Sequence, residues 1–200
     1  MIRFLRAEAA QATVELALAF AIVLLPLAMG FIEMGFLMSQ ALNLNAAVRE
    51  GARMAGAQSN GGGPLGCGTG QSPNWTNVDP QVIAAIERAL TANGSLINLA
   101  DVTQIRIAKA TSTGAETSGY VNVWVYSLNG GPTIDGQALD FVEQSRQWDA
   151  CSRLNTLPSD SARIQVRYTY RARTPFRYFF SGLATINLTD EAVMTMNATQ

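Results

Sequence analysis

The chain has 200 residues, 48% of them hydrophobic, with 14 Lys plus Arg against 15 Asp plus Glu, a net charge of -1, no histidine and two cysteines. Near-neutrality argues against a general nucleic-acid binder, which needs a cationic surplus to neutralise phosphates. The missing imidazoles exclude the usual tetrahedral zinc sites, serine-histidine triads and cysteine-histidine pairs, and the length suits one anchor plus one domain able to bury a core.

A ten-residue segment carrying Arg3 and Arg6 leads to Glu15 and then to an uncharged run of seventeen residues, Leu16 to Ile32. At 1.5 Å per residue, a helix needs about 20 apolar residues to cross a bilayer. The run reaches that length if it continues through Met38, with Glu33 its only charge. An ionised carboxylate in hydrocarbon costs a few kcal/mol or more, so an acid placed there usually faces a partner and marks function. The step of 18 positions from Glu15 to Glu33 makes about five whole turns, so an unbroken α-helix points both the same way. Ala17 and Ala21 lie at a small-xxx-small spacing that lets a neighbouring helix approach closely. Glu15 reads as a functional group in preference to an acid wetted at headgroup level. Glu33 has two readings, a partnered acid or a residue just beyond the span.

Ser39 to Ala57 is rich in Ala, Leu and Met and free of proline, which predicts that the helix continues out of the membrane. Leu42, Ala46, Arg49 and Arg53 form one stripe, with the two guanidinium groups a turn apart. They face lipid headgroups, a neighbouring subunit or solvent. Ser59 to Asn74 is glycine-rich and aperiodic and reads as a loop; it lacks the lysine and following Ser or Thr of a phosphate-binding loop. Asp79 then reads as a helix cap with Pro80 at the first position. Val82, Ile83, Ile86 and Leu90 supply an apolar face that should pack on a sheet, and Gly94 stops the helix.

Period-two alternation predicts strands over the rest. Ile105 and Ile107 alternate with Gln104 and Arg106. Val121 to Tyr126 is apolar on both faces and reads as a strand covered on both sides. In Arg163 to Arg173, Ile164, Val166, Tyr168, Tyr170 and Ala172 share one face against a basic outer face. Ala192 to Asn197 forms the last strand, with Met194 and Met196 on one side. Residues 129–160, with NGG, DG and LPSD turn signals and an amphipathic piece near Phe141 to Trp148, read as an insertion or long connection. Phe176, Tyr178, Phe179 and Phe180 beside Arg177 read either as a core cluster or as a membrane or subunit contact. A long transmembrane helix, a small helix and an antiparallel sheet make an α+β chain. The divisions are residues 1–10, a tail; 11–57, the helix; 58–78, the loop; and 79–200, the domain. Cys67 and Cys151, 84 positions apart, are either one disulfide of an oxidising compartment or two buried thiols. A bond closing such a loop is worth roughly 4 kcal/mol.

The blocks AQATVELALAF, LLPLAMGFIEMG and AAVREGAR, in that order and spacing, resemble the TadE-like family, minor pilins (pseudopilins) of tight-adherence or Flp-type pilus systems. The resemblance implies a pilin-like chain in a bacterial inner membrane, tail inside and large domain outside. It implies a prepilin-peptidase site with Ala10 before the cut and Gln11 as the first mature residue. Glu15, Pro26 and Glu33 match the family's acid, proline and second acid, and Arg49 to Arg53 its juxtamembrane motif. The family pattern has glycine where Ala10 stands and an aromatic where Leu16 stands. A weaker likeness covers Arg163 to Asn197. The expected partners are other pilins, the pilus assembly platform, the prepilin peptidase and membrane lipids, with no cofactor and no nucleic acid. A free amine on Gln11 would be cationic below a pKa near 8 and lies about one turn from Glu15, so it can pair there or with the acid of a displaced neighbour.

Two other readings compete. An ordinary signal peptide would leave a secreted binding module, but Glu15 interrupts the expected order of such a signal. An anchored enzyme or glycan-binding domain would use the arginine face. Catalysis would then fall to an acid pair, and Asp135, Asp140, Glu143 and Asp149 show no spacing that selects two.

Overall fold

A computed structural model of the protein describes residues 2–58, 74–92, 94–154, 157–175, 178, 182 and 184–196. The chain divides into two compact units, Met1–Met38 with Tyr170–Ile186, and Ser39–Thr169 with Asn187–Gln200.

The first unit is dominated by apolar helix. Helix α1, Ile2–Ala19, passes through a π-helical turn at Phe20–Leu24 into α2, Leu25–Ala57. The wide turn is marked by the backbone N–H of Leu25, which donates to the carbonyl of Phe20, five residues back. Proline explains its position. Pro26 has no N–H to donate and its ring crowds the carbonyl of Ile22; a π turn just upstream relieves both. One residue is effectively inserted, which rotates everything downstream by roughly 100° about the axis. The expectation that Glu15 and Glu33 share a face rests on an unbroken α-helix, which the π turn interrupts; Glu15 is exposed and Glu33 is buried at 7% exposure. In the same unit Ala172 N–H donates to Ala184 at 2.9 Å and Tyr178 N–H to Pro175 at 2.9 Å. Tyr178 is exposed, while Phe176, Phe179 and Phe180 lie outside the described residues.

The second unit holds the core. Leu44, Ala47, Val48, Ala52 and Ala55 of α2 are buried, opposite the exposed stripe of Leu42, Ala46, Arg49 and Arg53. Gly51 lies on the buried side, where a Cβ would stand 2.5 Å from Ile86 Cγ1 and 3.4 Å from Ile164 Cγ2, so the missing side chain sets the close approach of three elements. Helix α3, Val78–Leu90, buries Val82, Ile83, Ile86 and Leu90, as its apolar face predicts.

Strands β1 (Val102–Ala110), β2 (Glu116–Tyr126), β3 (Thr133–Ile134), β4 (Gln137–Ala138), β5 (Phe141–Ser145), β6 (Ser161–Arg171) and β7 (Thr185–Thr195) follow. Five of them form one sheet in the order β5-β2-β1-β6-β7, and β3-β4 is a separate hairpin. Ile105 faces Trp124 and Val166, and Ile107 faces Asn122 and Ile164, all fully or almost fully buried, which centres the core on β1. The pairs Thr169–Asn187, Gln165–Glu191 and Ser161–Thr195 show β6 and β7 running in opposite directions. The alternation read for β6 holds, except that Gln165 on the outer face is also buried, at 9% exposure. The segment expected as a connection contributes β5 to the sheet edge. The hairpin before it turns at Asp135 (φ 53°) and Gly136 (φ 81°), the two positive dihedrals a tight two-residue turn requires.

Asp79 is not the cap expected of it. The helix already includes Val78, and the Asp79 carboxylate is buried, where it accepts from Asn122 Nδ2 at 2.6 Å and from Arg153 Nη2 at 2.9 Å. Arg153 is fully buried, lies 4.5 Å over the Trp148 ring and donates to the Trp148 carbonyl at 3.1 Å. A guanidinium deep in the core draws the carboxylate inward, away from the helix terminus that a cap would serve.

Candidate functional site on the apolar helix

The helix running from Gln11 is long and apolar enough to cross a membrane, and its most apolar window is 0% buried. Val14, Leu16, Phe20, Ile22, Val23, Leu27, Phe31 and Met34 all stand exposed by half or more. An apolar surface this continuous is suited to lipid or to another helix rather than to water. Next to the π turn, Ile22, Val23, Pro26, Leu27, Gly30, Phe31 and Met34 line an apolar concavity of about 540 Å³.

Two carboxylates interrupt this surface, in opposite circumstances. Glu15 is exposed and accepts from the side-chain amide of Gln11, Nε2 to Oε1 at 3.0 Å, one turn earlier. Glu33 is satisfied by its own chain. Its Oε1 accepts from the Tyr170 hydroxyl and from Arg173 N–H at 3.0 Å, and its Oε2 accepts from Thr174 N–H at 2.8 Å and the Thr174 hydroxyl at 2.6 Å. Successive backbone N–H groups at a turn form a concave anion cradle, here completed by two hydroxyls. Glu33 thus finds its donors inside its own chain, at Tyr170, Arg173 and Thr174.

Sequence reasoning did not find Tyr170 and Thr174. Tyr170 reads as one more inward residue of an alternating strand, and only its hydroxyl hints at more, since a buried Tyr hydroxyl needs a partner. Thr174 before Pro175 marks a turn but not the ligand it receives.

Arg49 and Arg53 sit together on the exposed stripe. Arg53 is held bidentately by Glu50, Nη2 to Oε1 at 2.6 Å and Nε to Oε2 at 3.0 Å, whereas Arg49 makes no ion pair among the described residues. Pro26 is the second residue of α2 and fixes the π turn. The side chains before Gln11, Ala10 among them, lie outside the described ones. Cys151 lies in a short 3₁₀ turn, Ala150–Ser152, and Cys67, its expected disulfide partner, is outside the described residues.

Among the described residues, fold and site define an α+β protein with one N-terminal apolar helix long enough to cross a membrane. Residues 10–53 match the family described as TadE-like protein, the stretch that contains Gln11, Glu15, Pro26, Glu33, Arg49 and Arg53. No curated protein and no solved structure matches the chain.

Proposed function

We propose that this protein is a membrane-anchored minor pilin, or pseudopilin, that takes part in assembly or function of a tight-adherence, Flp-type pilus. The observation that carries the reading is the division of labour between the two acids. Glu33 has donors from Tyr170, Arg173 and Thr174, while Glu15, inside the TadE-like match, stays exposed, with the Gln11 side-chain amide as its hydrogen-bond donor among the described residues. An acid on a lipid-facing helix calls for a cation. Cleavage between Ala10 and Gln11 would create one, an ammonium about one turn from Glu15 on the same chain and equally available to a neighbour displaced along a fibre. The proposal includes prepilin peptidase, other pilins and the assembly platform as partners, a bacterial inner-membrane location with the sheet domain outside, and a Cys67–Cys151 disulfide suited to that compartment.

The test combines processing and assembly. Intact mass and N-terminal sequencing of the membrane-extracted protein should find Gln11 at the start. Glu15→Gln, which keeps shape and removes charge, should abolish co-purification with the other pilins while leaving the protein in the membrane fraction. Normal co-assembly and piliation by Glu15→Gln would defeat the reading. Loss of the whole apolar run on maturation would favour a secreted module instead.

A further inference from the structure

On the outward face of the sheet, Arg106, Arg163 and Arg167 stand in different states. Arg106 is clamped by Glu116, Nε to Oε2 at 3.0 Å, and Arg163 by Glu191, so a carboxylate neutralises each. Arg167 is exposed, and its Nε donates to the uncharged Gln165 Oε1 at 3.2 Å. It forms no ion pair among the described residues. Beside it opens a cleft of about 410 Å³ lined by Thr103, Arg167, Tyr168, Thr169, Asn187, Leu188 and Thr189. That volume lies in the range of small-ligand sites, about 300–1,000 Å³.

A β-bulge shapes this cleft. Val102 faces Tyr168 and Gln104 faces Arg167, which leaves Thr103 as the extra, exposed residue, its hydroxyl donating to the Arg167 carbonyl at 3.2 Å. Bulges re-aim side chains, and this one brings a hydroxyl to the rim of the cleft. On the other side Asn187, a lining residue, accepts from Thr169 Oγ1 at 3.1 Å through Oδ1, which leaves its N–H₂ group as the donor the amide can offer a ligand. Thr189 adds an exposed hydroxyl. The lining is therefore one uncompensated cation, an amide donor and several hydroxyls, with no carboxylate among the described lining residues.

We propose that this cleft binds an acidic sugar unit, a uronate residue of a surface polysaccharide. Arg167 pairs with the carboxylate through its fork of N–H donors, and Asn187, Thr103 and Thr189 hydrogen-bond the ring hydroxyls. A phosphate or nucleic-acid strand would call for several cations or a run of backbone donors, which the cleft lacks; a neutral sugar would leave Arg167 without purpose. The proposal stands independently of the pilin reading, because both the cleft and its test lie in the sheet domain's own chemistry.

The experiment is calorimetric titration of the full chain in detergent micelles with a galacturonate oligomer and with a neutral galactose oligomer of equal length. The uronate should bind at least about tenfold more tightly, the discrimination one charge-assisted bidentate contact supplies. Arg167→Gln should erase that preference with an unchanged circular dichroism spectrum, and Asn187→Ala should weaken both sugars alike. Arg88→Gln, which removes an equal charge on α3 away from the cleft, should bind as the parent does. Equal affinity for the two oligomers, no binding, or wild-type preference in Arg167→Gln would overturn the proposal. So would displacement of the uronate by inorganic phosphate or by anionic lipid vesicles at equal anion concentration.

Discussion

Thr174 holds Glu33 twice through a single oxygen: Oε2 accepts from the Thr174 backbone N–H at 2.8 Å and from its hydroxyl at 2.6 Å. Thr174→Val keeps the shape and the backbone bond but removes the hydroxyl. A hydrogen bond to a charged group is worth about 1.5–3 kcal/mol, so the variant should lose stability of that order in denaturant titration in detergent, and Thr174→Ser should recover most of it. Parental stability in Thr174→Val would mean that the cradle contributes nothing.

The buried pair of Asp79 and Arg153 makes a second prediction. Arg153 Nη2 stands 2.7 Å from Asp79 Oδ1, Asn122 ties Asp79 to the Trp148 backbone, and Arg153 donates to the same Trp148 carbonyl. Arg153→Met strands a carboxylate in the core and should cost about 3–5 kcal/mol by urea denaturation. Adding Asp79→Asn removes the stranded charge, so the double variant should be more stable than Arg153→Met alone. Strict additivity of the two single effects would show the pair to be uncoupled.

Two helix glycines should behave oppositely. A Cβ on Gly51 would meet Ile86 at 2.5 and 2.7 Å, so Gly51→Ala should cost about 1–3 kcal/mol through overpacking. Gly35 has nothing within 4 Å of a built Cβ, so Gly35→Ala should be neutral or gain up to about 1 kcal/mol from helix propensity. Thermal unfolding of the two variants in one detergent decides the matter, and equal losses would contradict the packing described for α2.

The pH response should carry two opposite signs. Burial, with the neighbouring Asp140 charge adding to it, holds the Glu87 carboxyl above its ordinary value, even though it accepts from Asp140 N–H at 3.1 Å. Its contribution is fully present below the ordinary glutamate pKa and is lost as pH rises through the raised folded value. The hydrogen bond from Arg163 holds Glu191 below its ordinary value, so that contribution is present above the ordinary pKa and is lost as pH falls through the folded one. Solvent reduces the Glu191 effect, since its side chain is 47% exposed. Measured from about pH 4 to pH 7, Glu87→Gln should gain stability relative to the parent and Glu191→Gln should lose it. The same slope in both variants would refute the assignment.

Periodicity carried most of the fold. The alternation in β6 and the doubly apolar run Val121 to Tyr126 both proved to be strands, and the apolar face of α3 lies buried, because burial repeats with the period of the backbone. The contributions of single distant residues could not be read. Asp79 looks like a cap until Arg153, 74 positions later, is brought beside it. Glu33 looks like an acid in search of another protein until the turn at Thr174, 141 positions later, closes on it. The phase error between Glu15 and Glu33 had a local cause, since Pro26 was visible but its remedy in the preceding turn was not.

That remedy bears on how the helix would be mapped by experiment. Any cysteine-accessibility or crosslinking scan that begins near Gln11 and indexes positions by 3.6 residues will fall out of step between Ala19 and Leu25, by about one position. Sites upstream of the slip and sites downstream would then be assigned to the wrong neighbours, whereas two ladders scored separately would each show a clean azimuth, one for the segment bearing Glu15 and another for the segment bearing Glu33.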